Sequence, residues 1–591
     1  AKSYRKILAI LILIGKADTI LDFVQHSVAD AQLPLEKLGI GQPEPGVCRP
    51  FQLGLWGKGE PARPFKRWEH RDIEEFENKQ WETLAPFFSR ASKEDNNLVR
   101  HYELSWRRPL PFEILEGTGI SKGTYRATSG GTTGSDSSLD SMKGGHGKVW
   151  KVRINREHHD LQSYRNGNEQ NPALAIKRLL SADKKAFKNE VNILTRLNKC
   201  NDPHLVKLLL TMEIIGRPGK DNSFFLIFPL ADSNLRQFWK NRFPHPKGTI
   251  TASYVRWVSK QFHGLAVALC KLHNLRPTNA SSVDQEKPKA SADGDPFYGI
   301  HGDIKPENLL WYQEWVGPPG TRTDDDCKDA FGVLQLADFG ISRLHHTETR
   351  SNATMGRATK TYAPPEVEWA FDRCSRSFDI WGLGCVFLEF MCWLVQGGSG
   401  ETNPVDDFHE ARYLGRKNRS LEGTIQDTFY HVVKDKDSTK FKVNPAVEEL
   451  ILNMRKGASP FVIDILNVIL YDMLVVEPKK TSLKPGQKEP DNLPLATSDG
   501  KRQRITCIEL AKKLEPMAKH NDSYFTNPSS RARESIRRSP QTLTVHESAG
   551  ELVKRRSMTR SFSIENTKEE DTKHDKQRRM TAILKSFRGN E

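Results

Sequence analysis

His301-Gly-Asp-Ile-Lys-Pro-Glu-Asn-Leu-Leu310, followed downstream by Asp338-Phe-Gly-Ile-Ser342, carries the reading of this chain. Asp303, Lys305 and Asn308 put an acceptor for a hydroxyl proton, a cation for a phosphate and a metal ligand into one short loop. Asp338 adds a second hard oxygen ligand of the kind Mg²⁺ prefers. A lone Asp-Phe-Gly is a common tripeptide, so the weight falls on what precedes it in order. Leu174-Ala-Ile-Lys177 reads as a short strand ending in a lysine, and Glu190 lies in Lys184-Lys-Ala-Phe-Lys-Asn-Glu-Val-Asn-Ile-Leu-Thr-Arg-Leu197, whose apolar spacing is helical. Such a lysine can hold α- and β-phosphates, and a glutamate on a helix can orient it.

Upstream again, Gly144-Gly-His-Gly-Lys-Val-Trp-Lys-Val-Arg-Ile154 runs from glycines into alternating apolar residues. Glycines let backbone N–H groups approach phosphate oxygens, and Val149 would lie over a purine ring. Against the pattern GxGxxGxV the first position is Met142, so only Gly144 and Gly147 match.

In this order the elements resemble the eukaryotic protein kinase family. The resemblance continues through Thr359-Lys-Thr-Tyr-Ala-Pro-Pro-Glu366, which stands for the family's APE segment, and Asp379-Ile-Trp-Gly-Leu-Gly384, its DxWxxG helix; it covers about residues 110–515. It implies an α+β, two-lobed protein-kinase-like fold, with a small β-rich N-lobe and a larger helical C-lobe from about residue 232. It implies ATP and Mg²⁺ as cofactors. By position, Gly144, Gly147 and Val149 cover the nucleotide and Lys177 contacts its phosphates while paired with Glu190. Asp303 accepts or orients the substrate hydroxyl, Lys305 contacts the transferred γ-phosphoryl group, and Asn308 with Asp338 holds the metal. Ile227 is expected at the back of the purine pocket, with Phe228-Pro229-Leu230 as the hinge and Leu230 against the nucleotide. Lys305, together with Thr359 ahead of the APE-like segment, is similar to the serine/threonine branch, so Ser/Thr hydroxyls of proteins are the expected acceptors.

Two departures carry expectations. The family's HRD arginine is Gly302 here, which removes the main cation of the pocket that grips a phosphorylated activation loop, so activity is expected not to depend on such phosphorylation. Lys480 stands where an arginine usually pairs with the APE glutamate, Glu366, and a lysine lacks the bidentate fork, so a weaker bridge is expected. A pseudokinase scaffold that binds partners and transfers nothing is the alternative, supported by Met142, Gly302 and the insertions, and opposed by Lys177, Glu190, Asp303, Asn308 and Asp338. A kinase-fold small-molecule phosphotransferase is a second, opposed by the APE-like segment that builds a peptide-docking surface.

Composition bounds the rest. With 591 residues, roughly two to four folding units are expected. Apolar residues at 37% are ordinary globular usage, which excludes a collagen, a coiled-coil rod or a wholly disordered chain, and 28% charged residues argue against a polytopic membrane protein. The 8 cysteines contain no CxxC pair and fit neither a disulfide scaffold nor a zinc cage, which points to a reducing, intracellular setting, cytoplasmic and/or nuclear. A net charge of +15 permits contact with phosphates or anionic lipid without requiring it, and nucleic acid is not an expected partner. The apolar run at residues 7–14 falls far short of the roughly 20 residues a membrane span needs and reads as a buried helix. His158-His159 and His345-His346 lack a third ligand at metal spacing, and Asp324-Asp-Asp326 lacks the rest of a calcium loop.

The expected organisation is a mostly helical N-terminal region at 1–109, a kinase domain at 110–515, and a disordered basic C-terminal tail at 521–591. Helix is expected over residues 5–28 and 70–84, and the tryptophans of the first 110 residues are expected to be buried. Residues 68–112 resemble the region preceding kinase domains in some fungal proteins. Polar stretches at 128–141, 277–295, 317–329 and 397–418 read as insertions within the domain. The tail repeats Arg-Ser pairings around Ser539, Ser557, Ser561 and Ser563, readable as a solvated tail, as phosphorylation sites or as a nuclear-import or nucleic-acid patch.

Overall fold

The computed structural model describes residues 2–39, 51–89, 99–115, 142–144, 147–161, 171–179, 183–243, 250–275, 299–314, 331–339, 343–344, 360–368, 375–397, 402–414, 427–435, 438–476 and 503–526. Three expected insertions (128–141, 277–295, 317–329), the tail beyond Thr526, and Thr359 and Lys480 lie outside these residues.

The chain opens with a small unit that has its own core. Helices α1 (Arg5–Leu13) and α2 (Ile20–Gln25) are followed by the antiparallel strands β1 (Glu36–Gly39) and β2 (Phe51–Gly54) and by α3 (His70–Gln80). Ile7, Ile10 and Leu11 recur at helical spacing and are fully buried, so the apolar run is a half-buried helix, with Leu8, Ile12 and Leu13 on the outer side. Gly15 at φ +70° ends it, which divides the expected 5–28 helix in two. Phe23, Phe65, Trp68 and Phe76 close the core with ring centroids 5.0–6.3 Å apart. Trp56 departs from the expectation of burial, being 71% exposed.

A seven-stranded sheet follows, formed by β3 (Arg100–Ser105), β4 (Phe112–Ile114), β5 (Met142–Gly144), β6 (Gly147–Ile154), β7 (Leu174–Leu179), β8 (Leu210–Ile215) and β9 (Ser223–Pro229), with α4 (Lys184–Lys199) between β7 and β8. The order is β3-β8-β9-β7-β6-β4, with β5 paired to β6. Edge strand β3 runs parallel to β8, from Arg100 opposite Leu210 to Ser105 opposite Ile215. The sheet therefore begins before residue 110 and recruits a strand from the expected N-terminal region. Just past β3, Arg107 binds Glu77 of α3 through both carboxylate oxygens, while Lys37 lies 3.2 Å from the same group. Burial, the largest influence, would push the Glu77 carboxyl up, but Arg107 and Lys37 hold it below the usual range.

The remaining elements are β10 (Ser233–Asn234), α5 (Leu235–Asn241), α6 (Ala252–His273), β11 (Gly299–Ile300), β12 (Leu309–Tyr312), β13 (Val333–Leu336), β14 (Arg343–Leu344), α7 (Arg376–Gln396), α8 (Pro404–Leu414), β15 (Tyr430–Asp435), β16 (Ser438–Val443), α9 (Pro445–Arg455), α10 (Pro460–Val468), α11 (Cys507–Ala518) and α12 (Asp522–Phe525). Side-chain caps start the helices where the sequence supplies them: Asn234 for α5, Thr251 for α6 and Thr506, with Glu509 closing a capping box, for α11. Among the described residues α7 alone is long and apolar enough to cross a membrane, and 94% of that window is buried, because it forms the axis of the core.

Two expectations about boundaries change. The 397–418 stretch contains α8, whose Val405, Phe408 and Arg412 are buried, so it is part of the packed domain. Tyr524 and Phe525 are buried against Phe461, which carries the folded part past residue 521.

Candidate active site

Strand register decides which residues of the sheet face the site. Lys177 on β7 lies opposite Val149 of β6 and Leu226 of β9, so these three share one face. From α4, which crosses behind, Glu190 reaches the lysine: Nζ donates to Glu190 Oε1 at 2.8 Å and to Asp338 Oδ1 at 2.7 Å. Burial, the largest single influence, would lower the lysine's pKa, but the two carboxylates outweigh it and hold the ammonium charged well above the ordinary range. Asp338 adopts φ +65°, a left-handed conformation that costs a non-glycine residue on the order of 1 kcal/mol and aims its carboxylate at the lysine. Phe339 beside it is buried, with its ring 5.1 Å from that of His301.

The second group lies between β11 and β12. Lys305 Nζ donates to Asp303 Oδ2 at 2.6 Å, and Asn308 Nδ2 donates to the Asp303 carbonyl at 2.8 Å and to Oδ2 at 3.1 Å. That orientation turns the Asn308 amide oxygen to the other side of its side chain. The Ala337 N–H donates to the Asn308 carbonyl at 2.9 Å, so the residue before Asp338 is tied directly to this loop.

A buried carboxylate fixes the loop from below. Asp379, near the start of α7, accepts the His301 N–H at 2.9 Å on Oδ2 and the Gly302 N–H at 2.8 Å on Oδ1, while His273 Nε2 at the end of α6 lies 2.8 Å from Oδ2. Burial is the largest influence on Asp379 and would raise its pKa, but His273 and these amide bonds hold it low. His273 is pushed up to about 9, where burial again opposes and Asp379 prevails. Two successive amides can reach one carboxylate because Gly302 takes φ +79°, which a glycine does without a Cβ clash. Asp379 opens the Asp379–Gly384 motif, but its positioning role is visible only once α6, α7 and the loop are brought together.

The sequence-predicted residues separate as follows. Lys177, Glu190 and Asp338 form one cluster; Asp303, Lys305 and Asn308 form the other. Gly144 and Gly147 pair across the β5–β6 hairpin, and Val149 lies on the lysine's face. Leu230 follows β9 and is half-buried, and its N–H donates to the Ala173 carbonyl at 3.2 Å. Ile227 is corrected: it pairs with Ile176, and both are buried in the cluster on the opposite face of the sheet. A strand alternates sides, so the site-facing residues of β9 are Leu226 and Phe228, one position away on either side.

The expected bridge of Lys480 to Glu366 is also corrected. Arg504 Nη2 donates to Glu366 Oε1 at 2.8 Å, Nη1 to the Ser377 carbonyl at 2.8 Å and Nε to the Val475 carbonyl at 3.1 Å. The arginine stands just ahead of α11 and is fixed by the approach to that helix, so a position counted on from α10 misses it. Its planar fork spans three partners, a role no lysine could fill.

Among known families, the protein kinase domain family matches residues 298–443, the stretch in which Asp303, Asn308, Asp338 and Asp379 lie. The chain carries a protein kinase domain there. The chain is 36% identical over 90 residues to cyclin-dependent kinase 2 of Caenorhabditis elegans, covering 15% of the chain and 20% of that protein. It is 29% identical over 92 residues to extracellular signal-regulated kinase 1 of Dictyostelium discoideum, covering 16% and 14%. With cyclin-dependent kinase B2-2 of Arabidopsis thaliana it shares 25% identity over 202 residues, covering 34% and 50%. The chain thus spans half or less of the length of the curated relatives it matches.

Proposed function

We propose that the chain is an ATP- and Mg²⁺-dependent protein kinase that transfers the γ-phosphoryl group to Ser or Thr hydroxyls of intracellular proteins. The observation that carries this reading is the lysine held between two carboxylates, 2.8 Å from Glu190 and 2.7 Å from Asp338, beside a loop that groups Asp303, Lys305 and Asn308. The sheet with α4 acts as the small lobe and the α-helical remainder as the larger one, with the nucleotide between them on the face of Val149, Lys177 and Phe228.

Phosphoryl transfer asks a protein for alignment and neutralisation of charge more than for covalent chemistry. Lys177 supplies a fixed cation for the phosphates, and Glu190 keeps it aimed. Asp303 accepts a hydrogen bond from the incoming hydroxyl and so points its oxygen at phosphorus. Lys305, now resting on Asp303, is close enough to turn to a phosphoryl oxygen. The amide oxygen of Asn308 and the carboxylate of Asp338 are hard donors of the type Mg²⁺ takes, and the ion neutralises phosphate charge when bound. The relatives' names, all kinases, support phosphoryl transfer, and Lys305, two residues after Asp303, supports Ser/Thr acceptors.

The test is transfer of labelled γ-phosphate from ATP·Mg²⁺ to a mixed peptide library by the full chain, with Asp303→Asn alongside and phosphoamino-acid analysis of products. Label on Ser and Thr that vanishes in the variant supports the reading. Nucleotide binding without transfer to peptides or to the chain itself overturns it in favour of a scaffold.

A further inference from the structure

At the β3 edge of the seven-stranded sheet, three ligand-bearing side chains come to one spot. β3 runs parallel to β8 with His101 opposite Thr211 and Glu103 opposite Glu213, so all four residues share one face. One ligand atom from each of His101, Glu103 and Glu213 lies within 4.8 Å of the other two. None of these residues belongs to the site proposed for phosphoryl transfer.

We propose that His101, Glu103 and Glu213 form a site for a divalent transition-metal ion of the zinc class, which would pin edge strand β3 to β8. Imidazole nitrogen with carboxylate oxygens is a donor set that zinc takes, and three protein ligands leave one tetrahedral position to water.

Spacing is the first support. His101 Nε2 lies 3.7 Å from Glu213 Oε2 and 3.9 Å from Glu103 Oε1, too far for hydrogen bonds. Two ligands at about 2.1 Å from one tetrahedral ion stand about 3.4 Å apart, so ring and carboxylates need to close by only about half an ångström or less.

The imidazole is also turned the right way. Nδ1 lies 2.9 Å from Thr211 Oγ1, whose hydroxyl donates to the Arg100 carbonyl at 3.4 Å. A hydroxyl has one proton to give, so Oγ1 accepts from Nδ1–H, and the lone pair of the neutral ring sits on Nε2, toward the carboxylates. Metal-bound histidines are oriented through their other nitrogen in the same manner. The buried Phe187 ring of α4, with its centroid 5.7 Å from that of His101, backs the imidazole.

Glu213 supplies the third support, its side chain being 2% exposed. Oε1 accepts from Asn222 Nδ2 at 2.6 Å and from Lys184 Nζ at 3.1 Å, whereas Oε2 is buried and accepts no hydrogen bond from any described residue. Lys184 Nζ lies 2.9 Å from Oε2 as a charge, but its side chain is half-exposed and can swing into water. Burial, the largest influence, would push the carboxyl up, yet Lys184 and Asn222 hold it below the usual range, so the group is an anion. Lys184 is the first residue of α4, and an ion here would exchange a β8–α4 link for a β8–β3 link.

The experiment strips the untagged full chain with a chelator and adds zinc chloride. Affinity is read by competition with a chromophoric chelator and stoichiometry by elemental analysis. Asp338→Asn runs alongside, so that zinc taken by the proposed Mg²⁺ ligands is counted separately. The expected result is one zinc per chain that excess Mg²⁺ leaves in place and Asp338→Asn retains. His101→Ala and Glu103→Gln, both at exposed positions, are each expected to lose it. Thr211→Val, which keeps every ligand and removes only the partner of Nδ1, should weaken binding about 10- to 100-fold. In the unsubstituted chain zinc should shield His101 from diethyl pyrocarbonate but leave the exposed His26 and His70 reactive, which localises the ion even where a variant does not fold. An unsubstituted chain that keeps no zinc, zinc held equally well by His101→Ala, or zinc lost both to Mg²⁺ and in Asp338→Asn overturns the proposal. None of these readouts depends on phosphotransfer.

Discussion

Two clusters of buried charge lie in the same domain and are built for opposite ends. Lys177, Glu190 and Asp338 meet at the cleft, with the Asp338 side chain 23% exposed. Glu389, Arg412 and Tyr362 meet within the helical part, with Arg412 and Glu389 both at 0%. There Arg412 Nη2 donates to Glu389 Oε1 at 3.0 Å, Tyr362 Oη donates to Oε2 at 2.9 Å, and the guanidinium lies 4.2 and 4.1 Å from the rings of Phe408 and Phe429. A lysine ammonium is a compact charge that can change partners when a phosphate arrives, whereas a stacked arginine fork is fixed in place. The difference separates charge kept for a ligand from charge spent on holding elements together, and it predicts that mutations in the two clusters fail in different assays.

The largest effect is expected at the cleft. Asp303→Asn keeps the size of the side chain and removes its charge, so phosphotransfer should fall about 10²- to 10⁴-fold with the denaturation midpoint little changed. A steady-state rate and a urea titration on the same preparation check this. Equal rates in variant and wild type would break the comparison from the catalytic side.

Next comes the sealed cluster. Arg412→Met leaves the buried Glu389 side chain without its main counter-charge, which is expected to cost about 3–5 kcal/mol of stability, while transfer per folded molecule stays the same. Adding Glu389→Gln should recover part of the loss, because the uncompensated charge goes with it. Urea unfolding of the single and double variants measures both. A single variant as stable as the wild type, or a double variant worse than the sum of its parts, would refute the assignment.

The two clusters also differ in how far the sequence shows them. Lys177, Glu190, Asp303, Asn308 and Asp338 each stand in a short motif whose residue types already suggest phosphate or metal, so the roles proposed for them are legible before their distances. Glu389 lies in the apolar run that follows the Asp379–Gly384 motif, where nothing local points to a partner, and Arg412 falls in a stretch that reads as a polar insertion. Their meeting depends on the packing of α7 against α8, which no local pattern encodes. Ile227 shows a finer limit: the strand is legible, but a displacement of one residue reverses the face it presents. Arg504 escapes a reading by position because counting across the stretch between α10 and α11 does not preserve the spacing. β3 reads as part of the N-terminal region because its pairing with β8 is long-range and parallel, and propensity carries no trace of a partner that far away.

A third charged contact, between the N-terminal unit and the residue pair after β3, lies between these extremes. Glu77 is almost fully buried at 3%, but Arg107 is 22% exposed, so Arg107→Ala is expected to cost less, about 1–3 kcal/mol. The sign with pH follows from the direction of the shift. The folded-state pKa of Glu77 is held below the unfolded one, so its contribution is full above about 4.5 and is lost as pH falls below it. Thermal unfolding between pH 7 and 3, followed by tryptophan fluorescence, should show an acid-side loss that is shallower in Arg107→Ala. Parallel curves would mean that the ion pair does not hold this unit.

The smallest expected effect concerns the one position where the active-site loop departs from its family in a way the backbone explains. Gly302 at φ +79° lets the amides of residues 301 and 302 converge on Asp379, and a Cβ there must bear a left-handed conformation. Gly302→Ala should therefore cost about 1 kcal/mol, with the Asp379 bonds kept if the loop holds its course. Gly302→Arg adds the family's cation at the same backbone cost, so the two variants separate conformation from charge. If alanine lowers stability and arginine matches it, the glycine serves the backbone. If arginine instead makes transfer depend on phosphorylation of the chain while alanine does not, the missing cation is what frees the wild type from that control. The pair of measurements, unfolding free energy and transfer rate before and after phosphatase treatment, places this loop on one side or the other of the division between charge held for ligands and structure held for its own sake.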